Sequence, residues 1–229
     1  MRKRDVAPFD GEAATRAVVA VRPNGANGRG FVMDIPVATG ERNSFVRRIV
    51  VTAAHCLPKR PPCQSSEPER TYPDVVSPLG TSEPSLMAEC MFVDPVADIA
   101  VLGAPDHQIF SDAFLAYEEF IRTIDALSLN LNTRPMIKPV TGWLLSLDGH
   151  WTRCRITELP NIQSPGGLWI AEASAGIEGG MSGSPILLDD GRVIGVVCTS
   201  GGREDEMHTD GGPQPKLMNH LPGWLVRRL

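Results

Sequence analysis

Three short segments hold residue types that together can do nucleophilic chemistry. A histidine stands in Val50-Val51-Thr52-Ala53-Ala54-His55-Cys56. An acid opens Asp98-Ile99-Ala100-Val101-Leu102. A serine sits in Gly179-Gly180-Met181-Ser182-Gly183-Ser184-Pro185. A serine hydroxyl is a weak nucleophile at neutral pH and attacks when a neighbouring base takes its proton. His55 is the right type for that base, and afterwards for the acid that protonates a leaving group. A carboxylate on the far imidazole nitrogen would fix the tautomer and steady the imidazolium, and Asp98 is the acid at the mouth of an apolar run. Asp94 precedes Pro95 and lies outside that run, so it is the poorer choice. Gly180 and Gly183 permit a tight turn around Ser182. Cys56 and Cys198 lack such a glycine-rich setting and are weaker nucleophile candidates. His107, His150, His208 and His220 fall in turn-like or polar contexts and read as surface residues.

Short strands must position these groups. Ala17–Val21, Gly28–Ile35 and Phe45–Ala54 are rich in Val and Ile and bounded by Gly, Pro, Asn or Asp. Residues 57–85 are rich in Pro, Ser and Glu and read as a long surface loop, or two loops around a weak strand. Two more strand-like runs fill 87–103. Residues 108–127 differ: Phe110, Phe114, Leu115, Phe120, Ile121 and Ile124 approach helical spacing, which predicts a helix inside a connector. Short strands resume at Met136–Val140, Gly142–Leu147, Thr152–Leu159, Leu168–Ala171, Ser184–Leu188 and Arg192–Cys198. Asp148-Gly149 and Asp190-Gly191 are hairpin signals. The segment from Leu221 to the terminus reads as a short C-terminal helix. A dozen or so strands in two groups predict an all-β protein of paired β-barrels. The expected organisation is 1–107 for the N-terminal barrel with His55 and Asp98, 108–127 for the connector, and 128–229 for the C-terminal barrel with Ser182.

Composition narrows the function. The 229 residues are 42% hydrophobic and 21% charged, which excludes a disordered chain, and the net charge of −5 gives no basic field for nucleic acid. No stretch approaches the apolar length of a membrane span. Asp10, Glu12 and Arg16 interrupt the only candidate leader, so no signal peptide is visible and a cytoplasmic location is expected. Five scattered cysteines, an odd number, do not form a disulfide framework, and no Cys-x-x-Cys suggests zinc. The expectation is no metal, no cofactor, no nucleic acid and no membrane.

Taken together, Thr-Ala-Ala-His-Cys at 52–56, Asp-Ile-Ala-Val-Leu at 98–102 and Gly-Met-Ser-Gly-Ser-Pro at 180–185 resemble the chymotrypsin-like (trypsin-like) serine peptidases. The resemblance covers nearly the whole chain and implies two six-stranded antiparallel barrels. An α/β-hydrolase would require Ser before Asp before His on a strand-to-helix elbow, and the order here is His, Asp, Ser. The resemblance implies a catalytic triad of His55, Asp98 and Ser182, with the backbone N–H groups of Gly180 and Ser182 as the oxyanion hole. It also places Gly176, Ile177, Thr199, Ser200 and Gly201 along the substrate, the edge from Cys198 to Gly202 pairing with the substrate backbone.

The chain departs from the secreted members of that family. The strand Gly28-Arg29-Gly30-Phe31-Val32 has no cysteine to bridge Cys56, so at most a Cys56–Cys63 disulfide is expected, and free thiols are the preferred reading. Gly176 stands where a charged pocket base would lie, so a simple Arg/Lys-selective pocket is not supported. Met181 replaces the acid that digestive members pair with a new N-terminus, so activation by N-terminal insertion is not available. The resulting expectation is a cytosolic bacterial serine endopeptidase of regulatory or processing type, acting on a polypeptide substrate with a regulatory protein partner. The competing expectation is an inactive peptide-binding module on the same fold.

Overall fold

The computed structural model describes residues 9–22, 28–39, 43–159, 166–198 and 211–226. Six strands of the first half are β1 (Val18–Val21), β2 (Gly28–Thr39), β3 (Asn43–Ala53), β4 (Thr71–Pro78), β5 (Leu86–Asp94) and β6 (Ile99–Gly103). They close an antiparallel barrel in the order β1-β2-β3-β6-β5-β4, with β1 pairing back onto β4. Six more, β7 (Val140–Leu145), β8 (Trp151–Glu158), β9 (Gly167–Ala171), β10 (Pro185–Leu188), β11 (Val193–Val196) and β12 (Gly211–Pro215), form a second antiparallel sheet, ordered β11-β10-β7-β8-β9-β12. Its two end strands approach where Gly195 bridges Lys216, so the second barrel is nearly closed. The fold is the all-β, two-barrel arrangement expected from the strand count.

Among the described residues, five α-helices decorate it: α1 (Gly11–Arg16), α2 (Glu67–Arg70), α3 (Ser111–Thr123), α4 (Leu217–His220) and α5 (Gly223–Val226). α3 is the helix expected within 108–127. It buries Tyr117, Phe120 and Ile121. Phe114 and Ile124 pack against the same core, so the expected stripe holds except that Leu115 is exposed and Tyr117 takes its place. α1 was not anticipated. Asp10 caps it by accepting from the Ala13 N–H, and it clips onto the second barrel where Trp151 Nε1 donates to Gly11 O at 2.8 Å and to Thr15 Oγ1 at 2.9 Å.

The proline-rich stretch is two loops around a strand, the second of its two expected readings: β4 runs eight residues because the register jumps between Tyr72 and Val76 and leaves Pro73, Asp74 and Val75 out of the ladder with β5. Likewise β12, Gly-Gly-Pro-Gln-Pro, pairs with β9 only at Gly211, Gln214 and Pro215, so Pro213 need not donate. The strand expected over Met136–Val140 is corrected: residues 136–139 form no strand, and β7 starts at Val140. Behind β8, Lys216 Nζ and Glu158 Oε2 make a buried ion pair at 2.8 Å. The same carboxylate oxygen accepts from the Met136 N–H, so the cation and acid are both satisfied.

Candidate active site

β3 and β6 are neighbours, with Ala53 opposite Ile99. His55 therefore lies two residues past the end of β3, in the one-turn 3-10 helix Ala54–Cys56, while Asp98 lies one residue before β6. Pairing register alone brings these two side chains to the same end of the first barrel. Asp94 shapes the approach. Its Oδ1 accepts from the N–H groups of Val96 and Ala97, both at 2.9 Å, and folds the turn that delivers Asp98. Asp94 Oδ2 lies 3.6 Å from His220 Nδ1, so His220 is partly buried rather than a free surface group.

Asp98 engages the histidine turn at several points. Its carbonyl accepts from the Ala54 N–H at 2.9 Å, and its Oδ1 from the His55 N–H at 2.9 Å. Its Oδ2 lies 2.6 Å from His55 Nδ1. Asp98 holds a left-handed backbone, φ 59°, which costs a β-unbranched residue about 1 kcal/mol and is offset by these bonds. The hydrogen bond that His55 donates to Asp98 raises the His55 pKa above its ordinary value, Cys56 adds to the rise, and partial burial opposes it. With Nδ1 committed to Asp98, Nε2 is the nitrogen free for proton transfer.

Ser182 is presented by two consecutive tight turns. Met181 N–H donates to Glu178 O at 3.1 Å, and Ser184 N–H donates to Met181 O at 2.9 Å. Gly180 and Gly183 occupy the third position of each turn with φ of 100° and 85°, the backbone that a type II turn demands there. The turn bonds use the N–H groups of Met181 and Ser184. Those of Gly180 and Ser182 enter no hydrogen bond among the described residues. Met181 is 1% exposed and packs in the second barrel's core with Ile177 and Val197, and its sulfur accepts from the Glu178 N–H at 3.3 Å.

The Ser182 turn meets the first barrel edge-on. Its carbonyl accepts from the Arg29 N–H at 2.7 Å and lies 3.7 Å from Cys56 Sγ, the neighbour of His55. Cys198, at the far end of the same arrangement, donates its thiol to Asp98 O at 3.1 Å. The structure thus brings His55, Asp98 and Ser182 to one junction between the barrels. The Ser182 hydroxyl makes no hydrogen bond to His55 among the described residues. Serine–histidine contacts of this kind often tighten only in the Michaelis complex. Gly176 is half-buried. Ile177 buries its side chain in the second core. Thr199, Ser200 and Gly201 lie outside the described residues. All five cysteines are free, so the Cys56–Cys63 bridge is not formed. Sequence reasoning missed Arg29 altogether, whose only signal was a long cation between two glycines opening a strand.

Paired antiparallel barrels with a His–Asp pair at the end of one and a serine turn on the other make up the chymotrypsin-like architecture. A model of the trypsin-like peptidase domain matches residues 28–196, and the chain belongs to that family. The Rv3671c protease from M. tuberculosis in its active form is 19% identical, with a TM-score of 0.50, covering 96% of this chain and 90% of that one. Its inactive form is 19% identical at a TM-score of 0.49, covering 91% of each chain. A serine endoprotease from Yersinia pestis is 15% identical at a TM-score of 0.43, covering 91% of this chain and 63% of that one. A search of curated proteins finds no match. No helix among the described residues is long and apolar enough to cross a membrane.

Proposed function

We propose that the chain is a serine endopeptidase in which Ser182 is the nucleophile, His55 the general base and acid, and Asp98 the group that orients and charges-balances His55. The observation that carries this reading is the two-point hold of Asp98 on His55, at 2.9 Å and 2.6 Å, beside a serine turn docked on the same barrel. Ser182 Oγ attacks the scissile carbonyl carbon while His55 Nε2 takes the hydroxyl proton. The carbonyl π electrons move onto oxygen, and the N–H groups of Gly180 and Ser182, unspent in the turn bonds, receive that oxyanion. Collapse breaks the C–N bond, and the amine leaves with the proton from His55. Water then attacks the Ser182 ester by the same route, releasing the acid and restoring Ser182.

Met181 supports activity without N-terminal processing. Its burial holds the 178–181 turn from inside the second barrel, the task an ion pair performs in digestive members. The five free thiols support a reducing, cytosolic setting and a regulatory or processing role beside a protein partner. The test is a peptide library incubated with the wild-type chain, Ser182→Ala and His55→Ala, read by mass spectrometry for new termini. Cleavage by the wild type alone is expected. A wild type that binds peptides but cuts none would establish the alternative, an inactive peptide-binding module.

A further inference from the structure

Arg29 touches the serine turn, the first barrel and the second barrel together. Its side chain is buried, 6% of the residue being exposed. The guanidinium donates from Nη1 to Leu145 O at 2.7 Å and from Nη2 to Ser146 O at 2.9 Å, at the end of β7. Nη1 also lies 3.4 Å from Ser184 Oγ, two residues past Ser182. Its main chain does as much. The Arg29 N–H donates to Ser182 O at 2.7 Å, and Arg29 O accepts from Thr52 Oγ1 at 2.6 Å, three residues before His55. No carboxylate among the described residues lies within ion-pair distance of this cation; burial lowers its pKa, and the more distant Asp148 charge opposes that fall. Burying a guanidinium is unfavourable unless its hydrogen bonds are made. What the arrangement does achieve is a rigid link between the strand that flanks the His55 turn and the loop that carries Ser182.

We infer that Arg29 is a positioning residue that latches the Ser182 turn between the two barrels and sets its distance from His55. This rests on the peptidase reading proposed above. Strand alternation supports the geometry. Gly30 faces Val21 and Val50 inside the first barrel, so the residue before it faces outward, toward β7 and the serine turn. A shorter or apolar side chain would leave Leu145 O and Ser146 O without these donors, and the turn would be tied only by backbone.

The test compares the full-length wild type with Arg29→Met and Arg29→Lys. Two quantities are read: the second-order rate and final stoichiometry of fluorophosphonate labelling at Ser182, and amide hydrogen exchange over residues 179–185. In Arg29→Met the labelling rate should fall ~10–100-fold, the effect of misplacing a reacting group by about an ångström, while final stoichiometry stays that of the wild type. Exchange over 179–185 should quicken. Arg29→Lys, which keeps the charge but not the fork, should recover part of both, and it carries the test if Arg29→Met does not fold. Unchanged exchange over 179–185 overturns the latch, whatever the labelling shows. So does a loss confined to final stoichiometry, which marks a general folding defect. If the wild type does not label but Arg29→Met still loosens 179–185, the latch stands and the peptidase reading fails.

Discussion

Gly183→Ala isolates the contact that docks the nucleophile. At φ 85° an alanine pays the left-handed penalty of about 1–2 kcal/mol. A Cβ there would also stand 1.7 Å from Arg29 O and 2.6 Å from Thr52 Oγ1. Arg29 O belongs to β2, in the middle of a closed barrel, so the loop must move instead. Moving it breaks the hydrogen bonds that Ser182 O accepts from the Arg29 N–H and that the Gly183 N–H donates to Val197 O, each worth about 1 kcal/mol. The total is about 3–4 kcal/mol, and a domain of this size loses about 2–4 °C of Tm per kcal/mol. Gly191→Ala is the matched control: φ is 76° and no atom lies within 4 Å of its Cβ, so it bears backbone strain alone. Calorimetry should show Gly183→Ala losing at least twice the Tm that Gly191→Ala loses. Peptide turnover should fall at least ~100-fold in the first and hold in the second. Equal Tm losses with full turnover in Gly183→Ala would refute the claim that close docking on β2 positions Ser182.

Asp98 raises the pKa of His55, and catalysis needs the neutral imidazole, so kcat/KM should climb with pH through a midpoint above 6.5; Asp98→Asn should lower that midpoint and cut kcat by ~10⁴-fold. The stability that the same pair contributes runs the other way, being full below the ordinary histidine pKa and lost as pH rises through the raised one, which urea melts across that range would register. Met181→Ala should cost about 2–5 kcal/mol and reduce turnover, because it empties a core position and removes the sulfur that the Glu178 N–H meets. Deleting residues 1–14 should lower Tm, through loss of the α1 contacts with Trp151, and should not raise turnover. A thiol reagent should titrate one fast cysteine, the exposed Cys63, in the native protein: burial shields the other four and pushes Cys90 up to about 11 and Cys154 to about 12.

The reacting groups were legible because their chemistry is local. A histidine after Val-Val-Thr-Ala-Ala, an acid before an apolar strand and a serine among glycines each announce themselves in a few residues, and the register of β3 against β6 then joins the first two. The strand count was legible from the same β-branched runs. Elements whose pairing skips residues were not: β4 and β12 carry prolines that look like breakers until a bulge sets them aside. Tyr117 was hidden by its neighbours Phe114 and Leu115, which fit a helical stripe equally well on paper. Arg29 was hidden for a deeper reason. Its partners are the carbonyls of Leu145 and Ser146, more than a hundred residues away, and a carbonyl leaves no mark in a sequence.

The central claim is that Ser182 is activated by His55 held by Asp98. Fluorophosphonate labelling of the full-length chain, mapped by mass spectrometry, tests it most directly. One adduct is expected, on Ser182, abolished in Ser182→Ala and slowed at least ~10³-fold in His55→Ala. An adduct on another serine, or equal labelling of Ser182 without His55, would contradict it.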